Sequence, residues 1–305
     1  MLPTFLVIGA AKAGTTALYW YFAEHPEVFM SRVKETNFFA YGLDQQGRLL
    51  YGDPDIHHFP VKTLAAYEAL FEESGGAAAV GEVSPLYLET PQAAARIRAR
   101  LPEARIICCI RHPVDRAYSD YLMYLRNRGR RFDPERELND AAAWARPDSH
   151  WMQIGRYYPQ LARYYQSFPG DQLLVFPYDD LRKNTVGTTQ QLYRFVGVDS
   201  TFVPDLETPH NVGGMPASRL LERVVTHRAI KSAIEPWIPR RAVNWVRQLR
   251  TRNMRQPPGL PPELRRELTS YFRDDVEKTS ELIGRDLSRW LAPDAKGGSA
   301  VTPSG

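Results

Sequence analysis

The chain has 305 residues, 43% of them apolar and 24% charged, which is ordinary for one large globular domain or two small ones. No run approaches the ~18 apolar residues of a membrane span. The net charge of +4 is unevenly placed. Residues 217–255 are net +8 and the remainder net −4, so a local anionic partner is expected rather than a nucleic-acid-coating surface.

In chain order, "MLPTFLVIGAAKAG" carries neither a basic leader nor a cleavage site and runs into a strand, "FLVIGA" (5–10). A cytoplasmic protein is expected from this. A small-residue turn follows, then a helix over Thr15–His25. Such a turn, leaving a parallel strand and entering a helix, presents backbone N–H groups to an anion. Gly14 permits close approach, and the Thr15 and Thr16 hydroxyls add donors. Lys12 precedes the last glycine, whereas in the usual phosphate loop, G-x-x-x-x-G-K-[ST], the lysine follows it. From these residues alone, a plain turn with a solvated lysine is an open alternative.

Further strands are expected at "AAVGEV" (78–83), "RIICCI" (105–110) and "QLLVFPY" (172–178). Helical patterns fill the gaps at Leu64–Glu73, Pro91–Leu101, Pro113–Arg128 and Tyr158–Gln166, and again over "NTVGTTQQLYRFVGV" after the fourth strand. Near-continuous apolar strands alternating with helices predict a parallel sheet covered on both faces. The adjacent Cys108 and Cys109 point to opposite faces of one strand, so a mutual disulfide is not expected, and two buried thiols fit a reducing compartment. Arg111 ends the third of these strands and Ser119 lies two helical turns beyond Pro113. Arginine and serine at the carboxyl end of a sheet suit a phosphate monoester. The competing reading pairs Arg111 with Asp115 or Glu82.

Beyond Thr208 the pattern changes. "TPHNVGGMPASR" is loop-like, the basic stretch 217–255 reads as helical, and Pro261-Pro262-Glu263 opens a final helix. The basic stretch suits a lid or acceptor-binding surface, a contact with an anionic membrane surface, or a packed helix with a solvated basic face. Residues 1–292 are expected to form a single domain and 293–305 a disordered tail.

Together, the 12–16 and 111–119 motifs resemble those of the sulfotransferases that use 3′-phosphoadenosine-5′-phosphosulfate (PAPS). Lys12-Ala13-Gly14-Thr15-Thr16 looks like their loop for the 5′-phosphosulfate, and Arg111 with Ser119 like their 3′-phosphate site. "GEVSPLYL" (81–88), "PYDDLRKN" (177–184) and "ELIGRDLSRW" (281–290) stand in family order. The likeness covers residues 4 to 291 and runs to the heparan-sulfate branch, whose Glu-x-x-Phe-Phe motif carries the catalytic base. Here that motif is Glu35 ahead of Phe38-Phe39.

The resemblance implies a P-loop-like α/β/α sandwich and transfer of a sulfuryl group to a hydroxyl of a glycan, glycolipid or small molecule. Adenosine 3′,5′-bisphosphate would be the product, with no metal required. Glu35 would take the hydroxyl proton, its basicity raised by desolvation among the aromatics, and Lys12 would stabilise the leaving oxygen. A surface Lys34–Glu35 ion pair is the alternative, and Glu82 is the next carboxylate to consider, ending a strand toward the same crevice. His57, His58 and His112 have no comparable support as base. Tyr178 resembles an aromatic near adenine. Two departures stand out: Val83 occupies the place of an active-site lysine, and Asn253 and Met254 replace the lysine and glycine of a C-terminal 3′-phosphate loop whose arginine falls at Arg255. Two other readings are a P-loop kinase, against which "KAGTT" speaks, and a non-catalytic nucleotide-binding scaffold.

Overall fold

The structure, a computed structural model, describes residues 2–41, 60–128, 133, 144–206, 215–218, 253–255 and 257–292. His57, His58, most of the basic stretch and the 293–305 tail lie outside these residues. Five strands form one parallel sheet: β1 (Phe5–Gly9), β2 (Val28–Met30), β3 (Ala79–Val83), β4 (Arg105–Ile110) and β5 (Leu173–Pro177), in the order β2-β3-β1-β4-β5. Every residue of β1 and β3 is buried, as is β4 after Arg105, so the strands are buried on both faces rather than alternating, with Glu82 of β3 as a buried charged residue among them. Cys108 and Cys109 are free and buried in β4.

The principal flanking helices are α1 (Thr15–Glu24), α2 (Leu64–Ala69), α3 (Leu86–Glu89), α4 (Ala93–Arg100), α5 (Pro113–Asn127), α6 (His150–Gln153), α7 (Tyr157–Ser167), α8 (Tyr178–Lys183) and α9 (Thr185–Val196), followed after a break by α10 (Pro262–Ile283). Their boundaries have local causes. Pro113 opens α5, and the His112 ring Nδ1 accepts from the Val114 N–H at 3.3 Å as its cap. Asn184 caps α9 by accepting from Gly187 N at 2.9 Å, and α9 and α10 end on left-handed glycines, Gly197 and Gly284. In α10, Asp275 reaches the start of α7 and accepts from Tyr157 N at 2.7 Å and Tyr158 N at 3.2 Å, capping a helix distant in sequence.

Two expectations are corrected. Val28–Met30 adds an edge strand too short to carry a pattern of its own. Tyr178 begins α8 with no intervening loop instead of ending β5, because Pro177 closes the strand and serves as the helix N-cap. Just ahead of the basic stretch, Met215–Pro216 (β6) pairs antiparallel with Met254–Arg255 (β7) at its end, and Asn253 bonds both ways with Ser218, donating at 2.9 Å and accepting at 2.8 Å; the helix expected between them lies outside the described residues.

Candidate active site

Chain order reverses about β1: β2 lies at the outer edge, β3 fills the place between it and β1, and β4 then adds on the other side of β1. In open α/β sheets ligands bind at such a switch point, beyond the carboxyl ends of the strands. The loop after β1 meets the end of β4 there, with Ala10 N donating to Cys109 O at 2.6 Å. Lys12 (φ 68°) and Gly14 (φ 85°) are both left-handed, which folds the loop tightly over the start of α1. Gly14 is the N-cap of α1 and offers no capping side chain, so the partial positive charge of the helix start is left to a ligand. A side chain at Gly14 is excluded from both sides: a Cβ would lie 2.6 Å from the Tyr178 ring, in a backbone conformation that penalises one.

Arg111 follows β4 and binds this loop directly, donating to Lys12 O at 3.1 Å while its guanidinium lies over the Tyr178 ring, 5.6 Å from the centroid. The competing pairings for Arg111 are taken by others. Asp115 binds Arg265 of α10 at 2.6 Å, and Glu82 is enclosed by hydroxyls. Asp115 is pushed up by burial yet held below its ordinary pKa, chiefly by the Arg265 hydrogen bond. Ser119 is part-exposed on α5. Lys12 Nζ rests 3.2 Å from the Met123 thioether, one turn further along that helix. Burial lowers the Lys12 pKa from 10.5 to about 8; Asp120 opposes the shift, and Arg126, Arg111 and Arg116 add to it. Among the described residues no carboxylate contacts Lys12 Nζ, and Asp120 is its strongest charged neighbour, ahead of the three arginines.

The second half of the site is the loop after β2. Glu35 N donates to Val83 O at 2.9 Å, at the carboxyl end of β3, the strand beside β1. Adjacent strands lie ≈4.8 Å apart, so the Glu35 loop and the Lys12 loop border one crevice. Glu35 has φ 61° and Asn37 φ 52°, an uncommon backbone for side-chain-bearing residues. The expected desolvation of Glu35 is not what the fold provides. Its side chain is 50% exposed and paired with Lys34, while the aromatics beside it, Phe38 and Phe39, stack and pack edge-on against Tyr67 instead of covering the carboxylate.

Glu82 is likewise corrected. It is fully buried and receives hydroxyls from Thr36, Tyr67, Tyr87 and Ser84, so it does not front the crevice. Val83 is buried with it. His112 is structural, its Nε2 directed at Trp290 O at 3.0 Å. Arg255 is exposed on β7, which is joined through β6 to α5. Sequence reasoning passed over Met123 and Asp120, although each lies within a turn or so of Ser119. An apolar residue and a helix-surface acid carry no signal until the loop brings Lys12 to them. Among the described residues no group of three or more His, Cys, Asp or Glu could hold a metal ion.

This loop-and-arginine arrangement on a 2-3-1-4-5 parallel sheet matches a known class. The profile of the Sulfotransferase family matches residues 3–202, and the chain belongs to that family, for which PAPS is the general donor. It is similar to the bifunctional heparan sulfate N-deacetylase/N-sulfotransferase 4 of Mus musculus, 27% identical over 95% of this chain and 31% of the relative. It is also similar to the heparan sulfate glucosamine 3-O-sulfotransferase 3B1 of Mus musculus, 30% identical over 94% of this chain and 64% of the relative. The chain thus spans about a third of the first relative and under two thirds of the second. A solved sulfotransferase from Alicyclobacillus acidocaldarius superposes with a TM-score of 0.67 at 26% identity, covering 96% of this chain and all of that one.

Proposed function

We propose that the protein moves the sulfuryl group of PAPS to a hydroxyl of a glycan, glycolipid or small-molecule acceptor. One observation carries the reading: a part-buried lysine that contacts no carboxylate among the described residues, an uncapped helix start and an arginine fixed on an aromatic ring converge at the sheet's switch point. In this reading the first turn of α1, with Thr15 and Thr16, binds the 5′-phosphosulfate. Arg111 and Ser119 bind the 3′-phosphate, and Tyr178 lies beside the purine. Arg255 closes over the same phosphate.

Glu35 accepts the acceptor's hydroxyl proton as the new O–S bond forms, and the S–O bond to the bisphosphate breaks on the opposite side. Lys12 neutralises the charge that collects on the departing oxygen. The named activities of the two relatives support a carbohydrate acceptor. The buried, unpaired Cys108 and Cys109 support a cytoplasmic setting. The test is incubation with 35S-labelled PAPS and an unfractionated cell extract, followed by identification of the labelled product. A labelled hydroxyl ester is expected, and no label above a Lys12→Met control would refute the reading.

A further inference from the structure

Beside the crevice lies a buried polar cluster to which the transfer reaction assigns no part. Glu82 sits on β3 with no solvent exposure, and four hydroxyls surround its two oxygens. Tyr67 and Tyr87 donate to Oε1 at 2.8 and 3.1 Å, Thr36 donates to Oε2, and Ser84 lies 3.4 Å from Oε2. Three of these hydroxyl oxygens are themselves acceptors for successive backbone amides. Asn37 N donates to Ser84 Oγ at 3.2 Å, Phe38 N to Thr36 Oγ1 at 3.4 Å and Phe39 N to Tyr87 at 3.4 Å. The amides can only donate, so these hydroxyl protons point elsewhere: all four hydroxyls lie within reach of the carboxylate, and Thr36 also lies 2.9 Å from the Tyr87 hydroxyl and 3.4 Å from that of Ser84. Every one of these amides belongs to the segment immediately after Glu35, and Glu35 N is held by Val83 O, next to Glu82 in the strand.

We propose that Glu82 is a positioning residue for Glu35. Its carboxylate gathers the 36–39 backbone through the hydroxyl ring and so holds the left-handed turn at Glu35 and Asn37 that aims the base at the acceptor oxygen. Such a turn is unfavourable without Gly, and it persists only where surrounding contacts over-determine it. Burial without the ring would be costly to a carboxylate, and the four hydroxyls are what make the site tolerable. A purely space-filling role for position 82 is met by any apolar residue; a four-hydroxyl shell is not needed for it.

The proposal rests on Glu35 being the base, and the test separates the two. Initial rates of label transfer from saturating PAPS into an unfractionated cell extract are compared for wild type, Glu35→Gln, Glu82→Gln, Thr36→Val and the Glu35→Gln/Glu82→Gln pair. Bisphosphate affinity and hydrogen exchange of the 35–39 amides are measured alongside. Glu82→Gln places an N–H donor where hydroxyls donate. A misplacement near 1 Å costs about 10²-fold, so that loss of rate is expected with bisphosphate affinity held within about threefold. Exchange at 37–39 should accelerate, and Glu82→Gln should add less than about threefold in the Glu35→Gln background.

Thr36→Val removes one hydroxyl and leaves the carboxylate, and should lose about tenfold by the same route; it decides the question if Glu82→Gln does not fold. Multiplicative losses in the pair would overturn the proposal, as would unchanged exchange in both single variants or a folded Glu82→Gln and Thr36→Val at wild-type rate. An active Glu35→Gln would instead overturn the base assignment, and the positioning role with it.

Discussion

Lys12 is where the geometry makes its sharpest quantitative demand. Its pKa is lowered to about 8 in the ligand-free protein, chiefly by burial. An anionic phosphosulfate or phosphate against Nζ restores the charged form to favour, raising the value toward or beyond the ordinary 10.5. Binding must therefore draw protons: about half a proton per site at pH 8, about 0.9 at pH 9 and about 0.1 at pH 7. Above pH 8 the affinity for adenosine 3′,5′-bisphosphate should fall toward tenfold per pH unit. The full gap of 2.5 units corresponds to roughly 3 kcal/mol. The ligand's own phosphates are fully ionised at pH 8, since a monoester's second pKa is ≈6, so they do not contribute. Calorimetry at pH 8 in two buffers of different ionisation enthalpy reads the proton uptake directly. Lys12→Met should abolish the uptake and lower affinity about 10- to 150-fold, the worth of one charge-assisted contact. Wild type that binds without proton uptake, with affinity flat from pH 7 to 9, would refute this account of Lys12.

Three other predictions address separate parts of the molecule. Glu35→Gln should leave bisphosphate affinity within about threefold while lowering kcat about 10²- to 10⁴-fold, as measured by steady-state transfer and calorimetry on the same preparation. The bisphosphate should bind about 10- to 150-fold more tightly than 5′-AMP, and Arg111→Ala should erase most of that ratio; equal affinities in wild type would move the 3′-phosphate elsewhere. Asp275 is raised by burial to about 6 against the pull of two backbone N–H bonds, so the folded state holds its proton where the unfolded chain has lost it. Stability should therefore fall by about 2 kcal/mol as pH rises from 4 to 6, and denaturant titrations of Asp275→Asn should lack that component of the slope.

The fold was legible because its strands are buried on both faces. "FLVIG", "AVGEV", "RIICCI" and "LLVFP" are runs bounded by turns and apolar but for Glu82 and the leading Arg105, and such runs need no partner to be recognised. The edge strand "VFM" was not, since three residues after a helix, two of them part-buried, carry no period. In the site, Lys12, Gly14 and Arg111 were visible from their places at strand ends. What they touch was not: Met123 meets Lys12 across 111 positions, and Tyr178 meets both Gly14 and Arg111 only because α8 begins without a loop. Glu82 was misread for a related reason. A carboxylate in a strand suggests an exposed end until hydroxyls from positions 36, 67, 84 and 87 are brought around it, and no local pattern announces that convergence.

The Lys34–Glu35 ion pair that the structure shows does not stand against the proposed role of Glu35 as base, and magnitudes show why. The pair with Lys34 exists, but the Glu35 side chain is half exposed, and an exposed pair is worth about 0–1 kcal/mol. A general base contributes about 10²- to 10⁴-fold, or roughly 3–5 kcal/mol of barrier. An acceptor hydroxyl arriving at Glu35 can therefore displace Lys34 at small cost. The strong restraints fall on the backbone, through Val83 O and the amides of residues 37–39, and leave the carboxylate free to turn. In the proposed reading that division suits a base that must meet its substrate in line with a phosphosulfate: the main chain would set where the proton is taken, and the weak salt bridge would give way when the acceptor arrives.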